Sequence, residues 1–268
     1  MAAMTNRNSD ATYQDCYVAV LDILGYKNRV DRAVRSGGHE QDIAFLEGLL
    51  DRAYAYVQAK NESPRAGQIS LRVFSDTVVI ASPATAEGDG CFSLMLATTF
   101  IVALFAYENV WVRGAVARGG HYGSSRLIYS PALIEAHVAG EEFADLARIL
   151  VSPLVARDCH ARGQDDICKQ REEYLRRSVW RDQDGHFVLN YLAQIDPDRI
   201  GDVAEATYMA THKRHVTACL NEHWASPKVL PKYRWVAAYH NSVCHNQLRD
   251  AGDQYLIDNV SSTGPLPL

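Results

Sequence analysis

Apolar residues run without interruption from Tyr17 to Leu21 and stop at Asp22. Such a run predicts a buried strand, Tyr17–Asp22. Ile23-Leu24-Gly25-Tyr26 follows, and Gly25 permits a tight turn there. The spacing then becomes helical. Lys27–Ser36 reads as a short helix stopped by Gly37-Gly38, and Asp42–Lys60 as a longer one with Ile43, Leu46, Leu49, Leu50, Ala53 and Val57 on one stripe. After a loop at Pro64–Gly67, two β-rich runs, Ile69–Phe74 and Thr77–Ser82, flank Ser75-Asp76. They predict a tight hairpin with Asp76 at its tip. Gly90–Tyr107 is an apolar helix. Val110–Ala117 and Tyr122–Tyr129 read as strands, Ala132–Phe143 as a helix and Arg148–Val151 as a short strand. From residue 155 onward the chain is more charged and mostly helical, interrupted by a short strand at His186–Asn190.

The order strand, helices, hairpin, helix, hairpin, helix, strand implies an α+β fold. It matches a ferredoxin-like βαββαβ unit with a mixed sheet and extra strands. Three segments follow: a loose tail over 1–12, a folded domain over 13–155, and a mostly helical extension over 156–268 packed on that domain.

The 268 residues suit one large domain with an extension, and an apolar content of 47% supports a large core. A net charge of −5 argues against general binding to nucleic acid. The six cysteines, Cys16, Cys91, Cys159, Cys168, Cys219 and Cys244, include no CxxC pair, and no apolar leader precedes them. Reduced thiols and a cytoplasmic location are expected. Ser93, Thr98 and Thr99 make Gly90–Tyr107 too polar for a membrane span, so a buried core helix is expected instead. His212, His215, Cys219 and His223 share one helical face, and His240, Cys244 and His245 cluster further on. Neither set has a tight zinc-ligand pattern. Trp235, Tyr239 and Val243 are expected to pack the last helix onto the body.

The chemistry concentrates at two aspartates. Asp22 closes a strand beside a turn, where a carboxylate can hold a hard cation while the amides of Ile23, Leu24, Gly25 and Tyr26 cradle phosphate oxygens. Asp76 sits at the hairpin tip. If the hairpin lies beside the first strand, both carboxylates reach one sheet edge, where two metals ~3.5–4 Å apart can clamp a nucleotide. Each aspartate alone reads as a turn residue. The pair, in this order, reads as a site.

Asp22 in Leu-Asp-Ile-Leu-Gly-Tyr resembles the first metal motif of class III nucleotidyl cyclases, and Ser75-Asp76 resembles their second. Trp111 to Gly120 resembles the strand after their third helix. Val20–Tyr26, Phe74–Ile80, Val112–Tyr122 and Ser130–Glu142 resemble most the pyrimidine (uridylate) cyclases of the bacterial Pycsar antiphage defence system, with a further echo in Lys232-Tyr233-Arg234-Trp235. The likeness covers roughly residues 15–155. It implies that 13–155 is a cyclase catalytic domain. It implies a homodimer with composite sites, and two divalent cations, Mn²⁺ or Mg²⁺, held by Asp22, Ile23 and Asp76. The implied product is a 3′,5′-cyclic monophosphate with release of pyrophosphate, which signals to a separate effector.

In purine cyclases a base-reading Lys or Glu is similar in role to Arg72, four residues before Asp76. A guanidinium suits the carbonyls of uracil, so UTP is favoured, with CTP next and a purine triphosphate as a further alternative. Tyr54 and Tyr56 are candidates for stacking on the base. The Asn and Arg that purine cyclases carry on the helix after the second hairpin are absent from Pro131–Val138. Charge stabilisation then falls to Arg118, with Lys232 at the phosphates and Arg113 and Arg234 as further candidates. The missing pair also motivates a different class of protein, a catalytically silent nucleotide-binding or dimerisation module.

Overall fold

The structure is a computed structural model that describes residues 12–62, 68–84, 89–143, 146–160, 166–192, 205–260 and 264–268. Most of the expected tail and the expected loop at 64–67 lie outside the described residues.

The first strand, β1 (Gln14–Ile23), is an interior strand of the sheet. Its apolar run leaves Val18, Ala19 and Leu21 fully enclosed. Helices α1 (Tyr26–Ser36) and α2 (His39–Asn61) follow, with Gly37 at a φ of 70° ending α1. The hairpin of β2 (Ser70–Phe74) and β3 (Thr77–Pro83) comes next, then helix α3 (Asp89–Tyr107) and strand β4 (Val112–Gly123). Further along lie β5 (Ile128–Tyr129), α4 (Pro131–Glu142), β6 (Ile149–Val151), α5 (Pro153–Cys159) and α6 (Asp166–Ser178). The last elements include β7 (Val179–Arg181), β8 (Phe187–Leu189), α7 (Glu205–Glu222), α8 (Leu230–Val243) and β9 (Leu266–Pro267).

The strands form one open mixed sheet in the order β2-β3-β1-β4-β6-β8-β7-β9, with β5 paired to the end of β4. Only β4 and β6 run parallel among these pairs. Eight α-helices accompany the sheet among the described residues. The fold is therefore mixed α/β, of the broad α+β kind expected.

Two details differ from the pattern along the chain. Val110–Ala117 and Tyr122–Tyr129 are not separate strands: β4 runs unbroken through Gly119-Gly120 to Gly123, and only Ile128-Tyr129 returns beside it. The glycines serve close packing rather than a break, since a Cβ on Gly119 would lie 3.7 Å from that of Ala132 in α4. The described part of the extension is mostly helical, with more strand than expected. Besides the strand near His186–Asn190, it supplies β7 and β9, and all three strands continue the central sheet.

Helix α3 is apolar on every side because it is enclosed. Its window Gly90–Tyr107 has a mean hydropathy of 1.9, enough by length and composition to cross a membrane, yet 83% of it is buried inside the protein. That is the core helix the polar residues Ser93, Thr98 and Thr99 predict. Tyr56 of α2 stacks on Phe100 of α3 at 3.8 Å between ring centroids.

The C-terminal segment is fastened by buried polar groups. Arg148, entering β6, binds Asp182 and the carbonyl of Phe143, and the Asp182 carboxylate also accepts from the indole N–H of Trp235 at 2.7 Å. Between α7 and α8, His212 and His240 stack with centroids 5.0 Å apart. Donor arithmetic sets their tautomers. His240 Nε2 donates to the Tyr255 carbonyl at 2.9 Å, so its Nδ1 accepts from His212 Nδ1 at 3.0 Å, and His212 Nε2 accepts from the Tyr191 hydroxyl at 3.0 Å. All four ring nitrogens are thus used by protein partners. Burial lowers both pKa values, that of His212 far down and that of His240 to about 4.

These depressed values set a pH dependence. The unfolded histidines bind protons near pH 6.5 while the folded pair does not, so stability is full above that pH and is lost as pH falls toward 4. Thermal melts from pH 7.5 to 4.5 are expected to show a steep drop in Tm that begins below 6.5. A flat Tm down to pH 5 would contradict a neutral buried pair.

Candidate functional site

The carboxyl end of β1 and the tip of the β2–β3 hairpin lie side by side. Asp22 pairs with Thr77 across the β1–β3 ladder, and the Ile23 amide donates to the Asp76 carbonyl at 2.9 Å. The two aspartates predicted as partners are therefore joined through the main chain. The Thr77 hydroxyl donates to Asp22 Oδ1 at 2.6 Å, which fixes the carboxylate and leaves Oδ2 for another partner. Among the described residues no group hydrogen-bonds to the Asp76 carboxylate. Ser75, before it, has a φ of 58°, the positive value that two-residue hairpin turns of the primed kind require at their first position.

The turn after Asp22 is built differently from the expectation. The Ile23 amide is taken by Asp76, and the Leu24 amide donates to the Trp111 carbonyl at 2.8 Å, so neither is available to a phosphate. The donors that remain are those of Gly25, Tyr26 and the rest of the first turn of α1. Gly25 caps that helix at a φ of 71°, with no side-chain cap on its amides. An uncapped helix N-terminus presents free N–H groups and the positive end of the helix dipole. Ile23, Leu24 and Gly25 line a cleft of about 750 Å³ whose other walls include Asn28, Arg32, Trp111 and Lys232. The sequence placed Lys232 with the phosphates, and the structure brings it to the same cleft from α8.

Arg72 occupies the opposite flank. It lines a mainly apolar cleft of about 430 Å³ with Val20, Phe74, Thr77, Val79, Leu127 and Leu133. Its guanidinium donates to the Ser124 carbonyl. Thr77, the ladder partner of Asp22, lines this cleft, and Ile23, next to Asp22 in the chain, lines the other, so each cleft reaches a neighbour of Asp22.

Arg118 does not join them. It stands opposite Tyr17, five positions from Asp22's partner Arg113, and an odd spacing on a strand places it on the other face. Its guanidinium binds Asp15 at 2.8 Å and Asp158 at 2.6 Å and covers the Tyr17 ring. Hydrogen bonds to the two carboxylates raise its pKa further and hold it as a structural cation. Arg113 is the better placed arginine, directly across β4 from Asp22, with an ion pair to Glu141 of α4. Arg234 is exposed on α8. Tyr54 and Tyr56 belong to α2, which packs on α3 and away from the Arg72 cleft.

The available donors suit a hard divalent cation. Two carboxylates and the neighbouring Ile23 main chain offer only oxygen, the donor type that Mg²⁺ and Mn²⁺ prefer. The chain matches no family model, and no curated protein matches it either.

Proposed function

We propose that the chain is a pyrimidine nucleotide cyclase that converts UTP to 3′,5′-cyclic UMP and pyrophosphate. The observation that carries this reading is the Asp22–Asp76 junction, with a helix N-terminus and Lys232 on one side and an arginine-lined apolar cleft on the other. A triphosphate needs the first flank and a base needs the second. The ribose 3′-oxygen would attack the α-phosphorus between them. Divalent cations on Asp22, Asp76 and Ile23 would lower the pKa of the 3′-hydroxyl and neutralise the leaving pyrophosphate. The first-turn amides of α1 and Lys232 bind the β- and γ-phosphates, Arg72 faces the base, and Thr77 orients Asp22.

The strand order β2-β3-β1-β4, with α1–α2 and α3 as its crossovers, supports a class III cyclase domain of ferredoxin-like topology. Exposed Ile134, Val138 and Phe143 along α4 support the homodimer that the sequence resemblance implies. The same resemblance extends the reading to a cytoplasmic signal in antiphage defence, answered by a separate effector.

Incubation of the protein with each labelled triphosphate and Mn²⁺ tests the assignment. The expected product is cyclic UMP, in excess of any product from CTP, ATP or GTP. Preferential turnover of ATP sinks the base assignment, and turnover of none of the four favours a silent nucleotide-binding module.

A further inference from the structure

We propose that His121 reads the base together with Arg72, and that the pair selects uracil. This rests on the reading of the site as one for a nucleoside triphosphate. Alternation along β4 places Arg113, Ala115, Ala117, Gly119 and His121 on the face that also carries Asp22 and Val20. Arg72 lies one alternation back from Asp22 and two strands across, about 12 Å away by strand geometry. That distance suits a nucleoside spanning from an α-phosphate to its base edge.

His121 is 8% exposed, and its Nδ1 lies 2.9 Å from Ser130 Oγ. Among the described residues its Nε2 has no hydrogen-bond partner. Gly123 explains where that nitrogen faces. A Cβ placed there would sit 3.0 Å from His121 Nε2 and 3.8 Å from Arg72 Nη2. Both groups therefore border one gap, which the missing side chain keeps open. His121 and Gly123 also line a cleft of about 380 Å³ of mixed polar and apolar character with Gln14 and Ser70, next to the apolar cleft of Arg72. Apolar walls closed by a few convergent polar atoms are what a base requires.

The hydrogen-bond network assigns the tautomer. Ser130 Oγ accepts from the Leu133 amide at 3.0 Å and donates to the Gly120 carbonyl at 3.3 Å. Its remaining role is to accept, so His121 Nδ1 carries the proton and Nε2 a lone pair. The neighbouring guanidinium favours that orientation. Burial, and then the Arg72 charge, lower the His121 pKa and keep the ring neutral. The pair offers donors from Arg72 beside one acceptor from His121. Uracil presents a carbonyl beside N3–H and complements both. Cytosine presents a bare N3, whose lone pair would meet that of Nε2.

Three variants test this: His121→Phe, His121→Gln and Gly123→Ala. Each is assayed for kcat/KM on UTP and on CTP, with a thermal melt as control. His121→Phe is expected to lose about 10- to 100-fold on UTP, the effect of leaving a buried polar group unpaired, with CTP changed far less. Gln restores an acceptor near the Nε2 position and recovers part of the preference. Gly123→Ala fills the gap and weakens UTP while both reading groups remain. A purely structural role for His121 would lower both substrates together with the melting temperature, and that outcome, or an unchanged UTP:CTP ratio, overturns the proposal. If the wild type turns over no triphosphate, the cyclase reading falls by itself. The same ratio measured by calorimetric binding of UTP and CTP then decides base recognition.

Discussion

Alanine at Asp22 or at Asp76 is expected to abolish the proposed cyclic nucleotide formation while the protein stays folded. The expected loss is on the order of 10³-fold or more, above the 10²–10³ that follows removal of a single transition-state hydrogen-bond donor. On the proposed reading each carboxylate is a cation ligand, so neither can compensate for the other. Asp22→Asn is the sharper variant, because it keeps an oxygen for the Thr77 hydroxyl and removes only the charge. Both aspartates lie at a sheet end and are only partly buried, so the melting temperature should move by no more than a few degrees. Activity, circular dichroism and melting are measured on the same preparations. Turnover close to wild type in either alanine variant refutes the metal assignment, and collapse of the fold in the Asn variant refutes the claim that the charge is functional.

The largest effect on stability is expected at Gly114. A Cβ there would lie 1.9 Å from the Val20 carbonyl oxygen and 3.0 Å from the Leu21 Cα, so the central β1–β4 pair could not keep its spacing. Helix α4 meets the same place from outside, since a Cβ on Gly140 would come within 3.3 Å of the Gly114 Cα. Neither obstacle is a side-chain tip that can swing aside. Gly114→Ala is expected to cost at least ~3 kcal/mol, in the range reserved for overpacked backbone sites. That corresponds to a drop of roughly 6–12 °C in Tm for a chain of this size. Gly140→Ala should cost clearly less, because its contact is tight rather than impossible. Urea or thermal melts give the ranking, and a Gly114→Ala protein as stable as wild type would show that the two strands can separate without penalty.

The elements that carry their own hydrophobic signal were readable from the chain. Tyr17–Asp22, the hairpin around Ser75-Asp76 and the helix Gly90–Tyr107 owe their form to local runs, and the structure places each within a few residues. The adjacency of Asp22 and Asp76 followed from that order. β7 and β9 were not readable, because three and two residues carry no period, and Val179-Trp180 sits among arginines and aspartates. Their pairing is decided by the sheet edge they complete. Arg118 was misplaced although the signal existed: a position five residues from Arg113 on one strand cannot share its face. The same alternation reaches His121, whose role was hidden by the reading of Gly119-Gly120 as a break. The use of the Ile23 and Leu24 amides could not be foreseen, because their acceptors, Asp76 and Trp111, come from distant segments.

The position of β1 inside the sheet also shapes how the molecule is made. Both of its neighbours arrive much later in the chain, Thr77–Pro83 on one side and Val112–Gly123 on the other. Pairings of such long range close slowly, because loop entropy is lost before any contact repays it. Until β4 reaches β1, the apolar α3 lies only against the β1–β3 part of the sheet, and the rest of its surface remains open to other chains. The strand that presents Asp22 is thus held on one side only until Val112–Gly123 has been made, and the folding chain is prone to aggregation in that interval.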